Sequence, residues 1–422
     1  MQPRSYDMKM EVSKGNVEGN IRIPASKSHT IRALLIATLA NGESVISHPL
    51  NSADTRACKE ACRALGAQIT ETDTAWIVKG TNGILTQPDK DIDVGNSGTT
   101  LYLAASVAAL GDFPVTFTGD YQIKKRSAAN LLNALEDLGV KVESNQGCAP
   151  FTVTGPIKGG KTTIECPTSQ YLSSLLMATP LGTGKTEINI PLLHEKPYAE
   201  MTVRWMEEQG IKVDDSDYSH FEIEPGKSYQ KFKRAIPADF SSSAFFFGAA
   251  AITGSTLTLE GLDMSDSQGD KAIVEYLEKM GCEISINNDK MTIVGKEMRG
   301  CDLDINATPD ALPALAAIAC YAKGTTRLLN VPQARMKETD RIDVMTKELR
   351  KMGAQIVELE DGMEITGAPL NGAEVSGHDD HRIVMALAIA ALGCTGTNSI
   401  DTAEAVDITF PNFFEHLNKL KQ

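Results

Sequence analysis

The chain has 422 residues, of which 42% are hydrophobic and 23% are charged, and its formal net charge is −14. This length and composition are typical of a soluble globular protein with two domains. The acidic balance argues against a nucleic-acid-binding surface, which needs a basic face, but leaves room for a local basic cleft that takes a small anion. We expect a cytoplasmic protein without a membrane partner, because the chain shows neither an apolar signal core nor a run of about 18 apolar residues.

Six copies of one unit follow one another along the chain, with a period of about 70 residues. In each copy, a glycine precedes a run of residues that favour a β-strand. These glycines are Gly42, Gly111, Gly184, Gly254, Gly324 and Gly396. Solenoid repeats are typically shorter, about 20–50 residues, so each unit is predicted to be a small module of strands and helices. Six such modules predict an α/β protein with two similar domains of three modules each.

A second glycine separates a helical stretch from the next strand in five of the copies. These glycines are Gly66, Gly139, Gly210, Gly281 and Gly353. Glycine is expected at this position because a helix commonly ends in a residue of left-handed conformation.

A short polar cluster opens each unit and precedes a helix of small and aliphatic residues. The clusters lie near Ser26, Asn96, Thr168, Asp239, Thr308 and His378. Helices that are apolar on nearly every face are buried. A helix N-terminus carries free N–H groups and a partial positive charge, so helix N-termini that converge form an anion site. We expect the polar clusters to converge in this way.

The first of these clusters, PASKSHTIR, places Lys27, Ser28 and Arg32 at the start of a buried helix. A cation that enters a buried helix needs a partner, which favours a ligand-binding role. A solvated first turn is the alternative interpretation.

The next two clusters are GNSGTT, with Gly98, and PTSQ, with Thr168, Ser169 and Gln170. A tight turn explains the first of them, and ordinary helix capping explains Thr168 or Ser169. Capping does not require three polar side chains in a row. Arg126 lies in the segment QIKKRS, for which a solvated charged surface is the alternative to anion binding.

Charged residues are densest in two later segments, RMKETDR and GHDDHR. A surface mesh of salt bridges is the alternative for the first. His378 and His381 have a spacing that suits a metal ion, but the adjacent Arg382 disfavours a cation there. GPIKGGKT matches a phosphate-binding loop literally, but a β-prone stretch follows it, so we interpret it as a chance match. The eight cysteines are scattered and are predicted to be free thiols.

Six motifs of the chain occur in this order: SKS…R, GNSGT, TSQ, PDA, KETDR and DHR. With these spacings, the chain resembles the EPSP synthase (3-phosphoshikimate 1-carboxyvinyltransferase) family nearly from end to end. The resemblance implies two similar domains, each of three βαβαββ modules with buried parallel helices. One domain would join residues 1–24 to 238–422, and the other would span 25–237. The active site would lie in the cleft between them.

The resemblance also implies the reaction and its residues. The carboxyvinyl group of phosphoenolpyruvate would pass to the 5-hydroxyl of shikimate 3-phosphate, with no metal or organic cofactor, in a monomer. The residues implied for shikimate 3-phosphate are Lys27, Ser28, Arg32, Thr168, Ser169, Gln170, Tyr198, Asp310, Gln333 and Lys337. Those implied for phosphoenolpyruvate are Lys27, Gly98, Arg126, Gln170, Arg341 and Arg382. Those implied for proton transfer are Asp310 as the base, with Glu338, Lys27 and His381 as candidates for proton delivery.

The chain departs from the usual family pattern at several positions. Tyr102 stands where many members have arginine, Ile408 where many have lysine, and Glu195 where many have serine in the phosphate site. We expect Glu195 to point away from the phosphate or to pair with Lys196. Gly98 keeps a small residue beside phosphoenolpyruvate, so glyphosate is expected to compete with that substrate.

Two alternative functions stay open. A UDP-N-acetylglucosamine 1-carboxyvinyltransferase would share the modules and phosphoenolpyruvate. It usually has Lys-Asn near the start and a reactive loop cysteine, where this chain has Lys27-Ser28 and no cysteine in QIKKRS. A catalytically weak paralogue that only binds anions is the second alternative, and it is motivated by Tyr102, Glu195 and Ile408.

Overall fold

A computed structural model describes residues 8–215 and 217–422 of the chain. The chain divides into two compact units. The N-terminal unit is Ala25–Ile236, and the C-terminal unit joins Met1–Pro24 to Pro237–Gln422.

Two strands come first among the described residues and belong to the C-terminal unit: β1 (Met10–Ser13) and β2 (Gly19–Arg22). The helices of the N-terminal unit are α1 (Lys27–Leu39), α2 (Ala53–Ala64), α3 (Gly98–Ala108), α4 (Ala129–Asp137), α5 (Ser169–Ala178) and α6 (Lys196–Glu208). Its strands are β3 (Glu43–Ser47), β4 (Gln68–Glu71), β5 (Ala75–Lys79), β6 (Ile92–Asp93), β7 (Pro114–Thr118), β8 (Lys141–Asn145), β9 (Cys148–Thr154), β10 (Gly160–Cys166), β11 (Thr186–Leu193), β12 (Asp214–Asp215), β13 (His220–Ile223) and β14 (Lys233–Ala235).

The rest of the C-terminal unit repeats the same order of elements. Its helices are α7 (Phe240–Thr253), α8 (Ile273–Met280), α9 (Leu312–Ala319), α10 (Arg341–Lys351), α11 (His381–Ala391) and α12 (Phe413–Leu420). Its strands are β15 (Thr256–Glu260), β16 (Glu283–Asn287), β17 (Lys290–Val294), β18 (Asp302–Asp304), β19 (Thr325–Leu329), β20 (Gln355–Leu359), β21 (Gly362–Thr366), β22 (Glu374–Ser376) and β23 (Thr397–Asp401).

Three sheets with the same topology build the N-terminal unit. Their strand orders are β14-β3-β5-β4, β6-β7-β9-β8 and β10-β11-β13-β12. In each sheet the first pair is parallel and the other pairs are antiparallel. The second and third sheets, with their helices, therefore read βαβαββ along the chain. In the first sheet, the parallel strand β14 comes from the end of the unit.

The C-terminal unit has two sheets of this topology and a three-stranded one, among the residues that the structure describes. Their strand orders are β16-β17-β15-β2, β18-β19-β21-β20 and β1-β23-β22. The strand β2 pairs in parallel with β15, and β1 pairs antiparallel with β23. The first strands of the chain thus complete the first and last modules of this unit, and the six sheets correspond to the six predicted repeats.

Each module has one helix that is buried and one that covers it. Every residue of α3, α9 and α11 is buried, and so is nearly all of α1, α5 and α7. Small side chains let these helices pack closely in the centre of each unit. The other helices bury only one face, as in α8 and α10. The helix-ending glycines have the expected left-handed backbone, with φ of 107° at both Gly66 and Gly281.

The structure also bears on the phosphate-loop match and on the cysteines. The phosphate-loop match is followed by strand β10 rather than by a helix, so it does not have the structure of such a loop. All eight cysteines are free, and burial raises the pKa of Cys166 and of Cys320 to about 12. Within the described ranges, no helix is both long enough and apolar enough to cross a membrane.

Candidate active site

Arg32 lies in the second turn of α1 and is 1% exposed. Its Nε donates to Oγ1 of Thr202 at 2.8 Å, and its Nη2 donates to the carbonyl of Tyr198 at 2.9 Å and to Oγ of Ser173 at 3.3 Å. Its Nη1 donates to the carbonyl of Ser28 at 3.2 Å. Burial lowers the pKa of Arg32 to about 10, so the guanidinium stays charged at neutral pH. Neutral acceptors thus hold a buried positive charge.

The start of α1 supplies a second cation. Ser26 caps the helix by accepting from the backbone N–H of His29. Nζ of Lys27 lies 3.2 Å from Oδ2 of Asp54, and the Lys27 side chain is 12% exposed. Asp54 belongs to the first turn of α2, so this ion pair brings two helix N-termini together.

The start of α5 carries the predicted hydroxyl groups. Thr168 donates to Oε2 of Glu195 at 3.1 Å, and Ser169 donates to the same oxygen at 3.3 Å. Glu195 directly precedes α6 and is 1% exposed. Glu195 is thus directed toward the hydroxyls at the start of α5, and its expected orientation away from the phosphate or pairing with Lys196 stays a prediction. Lys196 pairs with Asp217 at 2.6 Å.

Tyr198 and Gln170 lie in the first turns of α6 and α5. Tyr198 contributes its carbonyl to the set of acceptors around Arg32 and is half-buried. Oε1 of Gln170 is buried and has no hydrogen-bond partner among the described residues. This amide oxygen is therefore left for a donor that the chain itself does not supply.

Gly98, the first residue of α3, lies directly against Arg126. A Cβ atom added at Gly98 would clash with Nη1 of Arg126. The hydroxyls of Tyr102 and Tyr171 both donate to the carbonyl of Ser127, at 3.1 and 2.6 Å. The two rings meet edge to face with centroids 5.1 Å apart. Two tyrosines thus fix the backbone next to Arg126, and a side chain at position 98 would have to displace the end of its guanidinium.

In the C-terminal unit, Asp310 is surrounded by cations. Arg341 Nη1 donates to its Oδ1 at 2.9 Å, Arg382 Nη2 lies 3.0 Å from its Oδ2, and Lys337 Nζ lies 4.0 Å from its Oδ1. The Asp310 side chain is 18% exposed, so a ligand can still reach it.

Arg341 joins three carboxylates while only 1% exposed. Besides Asp310, it binds Glu338 through Nη2 at 2.6 Å and Asp380 through Nε at 2.9 Å. Burial acts to lower the pKa of Arg341, but the carboxylates of Asp380, Glu338 and Asp310 outweigh it and hold the pKa above the ordinary value. The guanidinium is therefore permanently charged and locked in place.

The remaining predicted residues of this unit lie around that centre. His381 is fully buried, with Nδ1 3.8 Å from Oδ1 of Asp380. Arg382 directs Nη1 to the carbonyl of Ser241 at 3.5 Å. Gln333 donates from Nε2 to the carbonyl of Asn306 at 2.8 Å. Ile408, which stands where many family members have lysine, is buried and carries no charge.

The structure thus gathers the predicted residues into one group in each unit, at the N-terminal ends of helices. In the N-terminal unit, the contacts join the starts of α1, α2, α5 and α6, and Gly98 with Arg126 lies at the start of α3. In the C-terminal unit, they join the starts of α7, α9, α10 and α11. The predicted convergence of helix N-termini is therefore present within each unit.

Several residues of these groups carried no predicted role, among them Asp54, Thr202 and Asp380. Asp380 stands in GHDDHR, so its motif was visible, but its partner Arg341 lies 39 positions away in the chain. Asp54 and Thr202 stand in ordinary helical sequence and gave no signal. Among residues 8–215 and 217–422, no group of three or more His, Cys, Asp or Glu side chains is arranged to hold a metal ion.

Comparison with known proteins identifies relatives over the whole chain. The family model described as EPSP synthase (3-phosphoshikimate 1-carboxyvinyltransferase) matches residues 12–417. The 3-phosphoshikimate 1-carboxyvinyltransferases of Acetivibrio thermocellus and Methanocella arvoryzae are 49% and 43% identical, over 98% and 97% of this chain and 98% of each relative. The solved EPSP synthase of Acinetobacter baumannii superposes with a TM-score of 0.81 at 26% identity, covering 98% of both chains.

Proposed function

Because the chain belongs to the EPSP synthase (3-phosphoshikimate 1-carboxyvinyltransferase) family, we propose that it transfers the carboxyvinyl group of phosphoenolpyruvate to the 5-hydroxyl of shikimate 3-phosphate, releasing phosphate. The observation that carries this proposal is Asp310, a carboxylate open to ligand and held among three cations. The predicted family and fold class are confirmed by the full-length family match and by the superposition. The roles of individual residues are part of the proposal.

The N-terminal unit offers a site for the phosphate and hydroxyls of shikimate 3-phosphate. Arg32 supports this role because its positive charge is held by neutral groups and is left for an anion. A guanidinium and hydroxyls are suitable partners for phosphate oxygens. The residues proposed for this substrate are Lys27, Ser28, Arg32, Thr168, Ser169, Gln170, Tyr198, Asp310, Gln333 and Lys337.

Phosphoenolpyruvate carries a carboxylate and a phosphate, and both need cations. Arg126 beside Gly98, together with Arg341 and Arg382, are proposed to supply them, with Lys27 and Gln170 in contact as well. The close packing of Arg126 on Gly98 supports this assignment, because it leaves the guanidinium without a side chain between it and the helix start. Glyphosate is expected to compete here, and inhibition that does not depend on phosphoenolpyruvate concentration would contradict that.

The proposed chemistry is addition followed by elimination. The 5-hydroxyl attacks C2 of phosphoenolpyruvate while Asp310 accepts its proton, and C3 gains a proton. The resulting tetrahedral intermediate then loses phosphate from C2 and a proton from C3, which forms the C2=C3 double bond of the product. Glu338, Lys27 and His381 are the proposed groups for proton delivery. The cations that surround the reacting groups stabilise the charge that develops, which is their main contribution to rate.

The domain boundaries, the cellular location and the oligomeric state belong to the same proposal. We place the domain boundaries at residues 24 and 237, and the division of contacts after Pro24 and Ile236 supports them. A monomer is proposed, with a cytoplasmic location that the free and mostly buried cysteines support because they suit a reducing compartment.

The test is to follow phosphate release from phosphoenolpyruvate with shikimate 3-phosphate, and with UDP-N-acetylglucosamine in parallel. Release with shikimate 3-phosphate alone is expected. Asp310→Asn is expected to lose most of it, whereas Asp302→Asn, which changes an exposed carboxylate of the same unit, is expected to keep it.

Three outcomes would contradict the proposal. Release with UDP-N-acetylglucosamine alone would identify the other carboxyvinyltransferase. Tight binding of shikimate 3-phosphate without release would identify an anion-binding paralogue, which the buried Ile408 favours. Full release by Asp310→Asn would remove Asp310 as the base.

A further inference from the structure

Glu195 has an unusual backbone for its residue type. It precedes α6 with φ 58° and ψ 36°. These angles lie in the left-handed region, which residues other than glycine, asparagine and aspartate rarely adopt. A residue at this position normally caps its own helix with its side chain. Glu195 makes no such capping bond. The strained backbone instead serves to direct the carboxylate elsewhere.

The carboxylate of Glu195 is directed to the start of α5. It is 1% exposed, and one of its oxygens accepts from the hydroxyls of Thr168 and Ser169, at 3.1 and 3.3 Å. The carbonyl of Tyr198, in the first turn of α6, binds Arg32 at 2.9 Å. Glu195 thus stands three residues before a backbone partner of the buried cation.

These same two hydroxyls are proposed ligands of the substrate phosphate. A hydroxyl has one proton and donates to one acceptor at a time, so Thr168 and Ser169 cannot serve Glu195 and a phosphate together. A carboxylate and a phosphate that share these donors also repel each other, and low dielectric strengthens the repulsion. Binding of the phosphate therefore requires that Glu195 give up both hydrogen bonds.

We propose that Glu195 is a specificity-determining residue for the phosphate group of shikimate 3-phosphate. This inference rests on the proposed function. In the free protein, Glu195 holds the hydroxyls of Thr168 and Ser169 in the place of the phosphate. The substrate phosphate displaces it, so each binding event exchanges one anion for another. The exchange lowers the affinity for phosphate-bearing ligands and leaves ligands without a phosphate unaffected.

The experiment measures dissociation constants by titration calorimetry for shikimate 3-phosphate and for shikimate, which lacks the phosphate. Glu195→Gln keeps an acceptor oxygen and removes the charge. It is expected to bind shikimate 3-phosphate about tenfold more tightly, because the repulsion between the two anions is lost. Its affinity for shikimate is expected to match the wild type. Glu195→Ser, which removes the carboxyl group entirely, is expected to show the same preference for the phosphorylated ligand.

The matched control is Glu207→Gln, which makes the same change in charge at an exposed position of α6. It is expected to leave both dissociation constants unchanged. Unchanged or weaker binding of shikimate 3-phosphate by Glu195→Gln and Glu195→Ser, in variants whose urea unfolding matches the wild type, would overturn the role of Glu195. An equal change for shikimate would overturn it as well. A wild-type protein that binds no shikimate 3-phosphate would overturn the proposed function itself.

Discussion

The two units share one modular fold but surround their buried arginines with different kinds of partner. Arg341, in the C-terminal unit, is joined to three carboxylates: Asp310, Glu338 and Asp380. Arg32, in the N-terminal unit, is just as buried, at 1% exposure, but it donates to hydroxyls and backbone carbonyls. Both arginines are charged, but carboxylates of the protein balance the charge of Arg341, whereas only neutral groups contact Arg32.

The difference shows how one scaffold produces two kinds of binding surface. A buried ion cluster holds its members in fixed geometry, which suits a carboxylate that must act as a base. A buried cation held only by neutral dipoles costs stability, and an anionic ligand recovers that free energy when it binds. We therefore expect changes in the C-terminal group to reduce stability first, and changes in the N-terminal group to reduce binding first.

The largest effect on stability is expected from Arg341→Met. Three carboxylates would lose a shared buried cation, so unfolding by urea should show a loss of about 3–5 kcal/mol. Arg327→Met is the control, because Arg327 also binds two carboxylates but its side chain is 48% exposed. That change is expected to cost less than about 1 kcal/mol. Equal losses for the two variants would mean that the buried cluster does not organise the C-terminal unit.

Arg32→Met should show the opposite balance. Its acceptors can bond to each other, since the hydroxyl of Thr202 lies within hydrogen-bonding distance of Ser173, at 2.9 Å, and of the carbonyl of Tyr198, at 3.1 Å. We expect a loss of stability of about 2 kcal/mol and a loss of affinity for shikimate 3-phosphate of about 100-fold or more. Urea unfolding and titration calorimetry measure the two. A variant that loses stability as Arg341→Met does, but still binds the substrate, would break the comparison.

Much of this arrangement could be predicted from the sequence, for a physical reason. Repeats of about 70 residues indicate the length and number of the modules, and helices that are apolar on every face must be buried. Polar clusters at their starts then had to lie at helix N-termini, where Lys27, Arg32 and Asp310 are indeed found. The pairing of Met10–Ser13 with the last strand of the chain could not be predicted in this way, because the local pattern of that segment does not indicate its partner strand.

The remaining features depend on contacts that the chain order does not reveal. Asp380 binds Arg341 across 39 positions, so its role emerges only when α10 and α11 are packed together. The hydrogen bonds of Glu195 to Thr168 and Ser169 were not predicted either. They depend on the left-handed backbone at Glu195, which the local sequence does not indicate.

A smaller, pH-dependent effect is expected from Glu348→Gln in the C-terminal unit. Glu348 is 3% exposed and binds His378 and Lys351. Although burial alone would raise its pKa, hydrogen bonds from His378, Lys351 and the backbone of Ser376 lower it to about 2. A carboxylate with a lowered pKa stabilises the fold fully above its unfolded value of about 4.3, and loses that contribution as the pH falls toward 2.

We therefore expect Glu348→Gln to cost about 2 kcal/mol at neutral pH and much less near pH 3. Urea unfolding across this range measures it. The comparison variant in the N-terminal unit is Glu71→Gln, since Glu71 also binds two cations, Lys59 and Arg63, but its side chain is 37% exposed. Its cost is expected to stay below about 1 kcal/mol. A loss for Glu348→Gln that is the same at all pH values would contradict the ionic explanation.

The smallest effect tests the neutral contacts of the N-terminal unit. Tyr102→Phe removes one of two hydroxyls that bind the carbonyl of Ser127 beside Arg126, and Tyr171 keeps the other. The control is Tyr321→Phe, whose hydroxyl binds the carbonyl of Ala390 at 2.6 Å in the C-terminal unit. Each should cost about 1 kcal/mol of stability. Only Tyr102→Phe should raise the KM for phosphoenolpyruvate, by about threefold with kcat unchanged, because it loosens the backbone that places Arg126. A KM that stays at the wild-type value would mean that Tyr171 alone positions Arg126, and an equal rise in Tyr321→Phe would mean that the effect is general loss of stability.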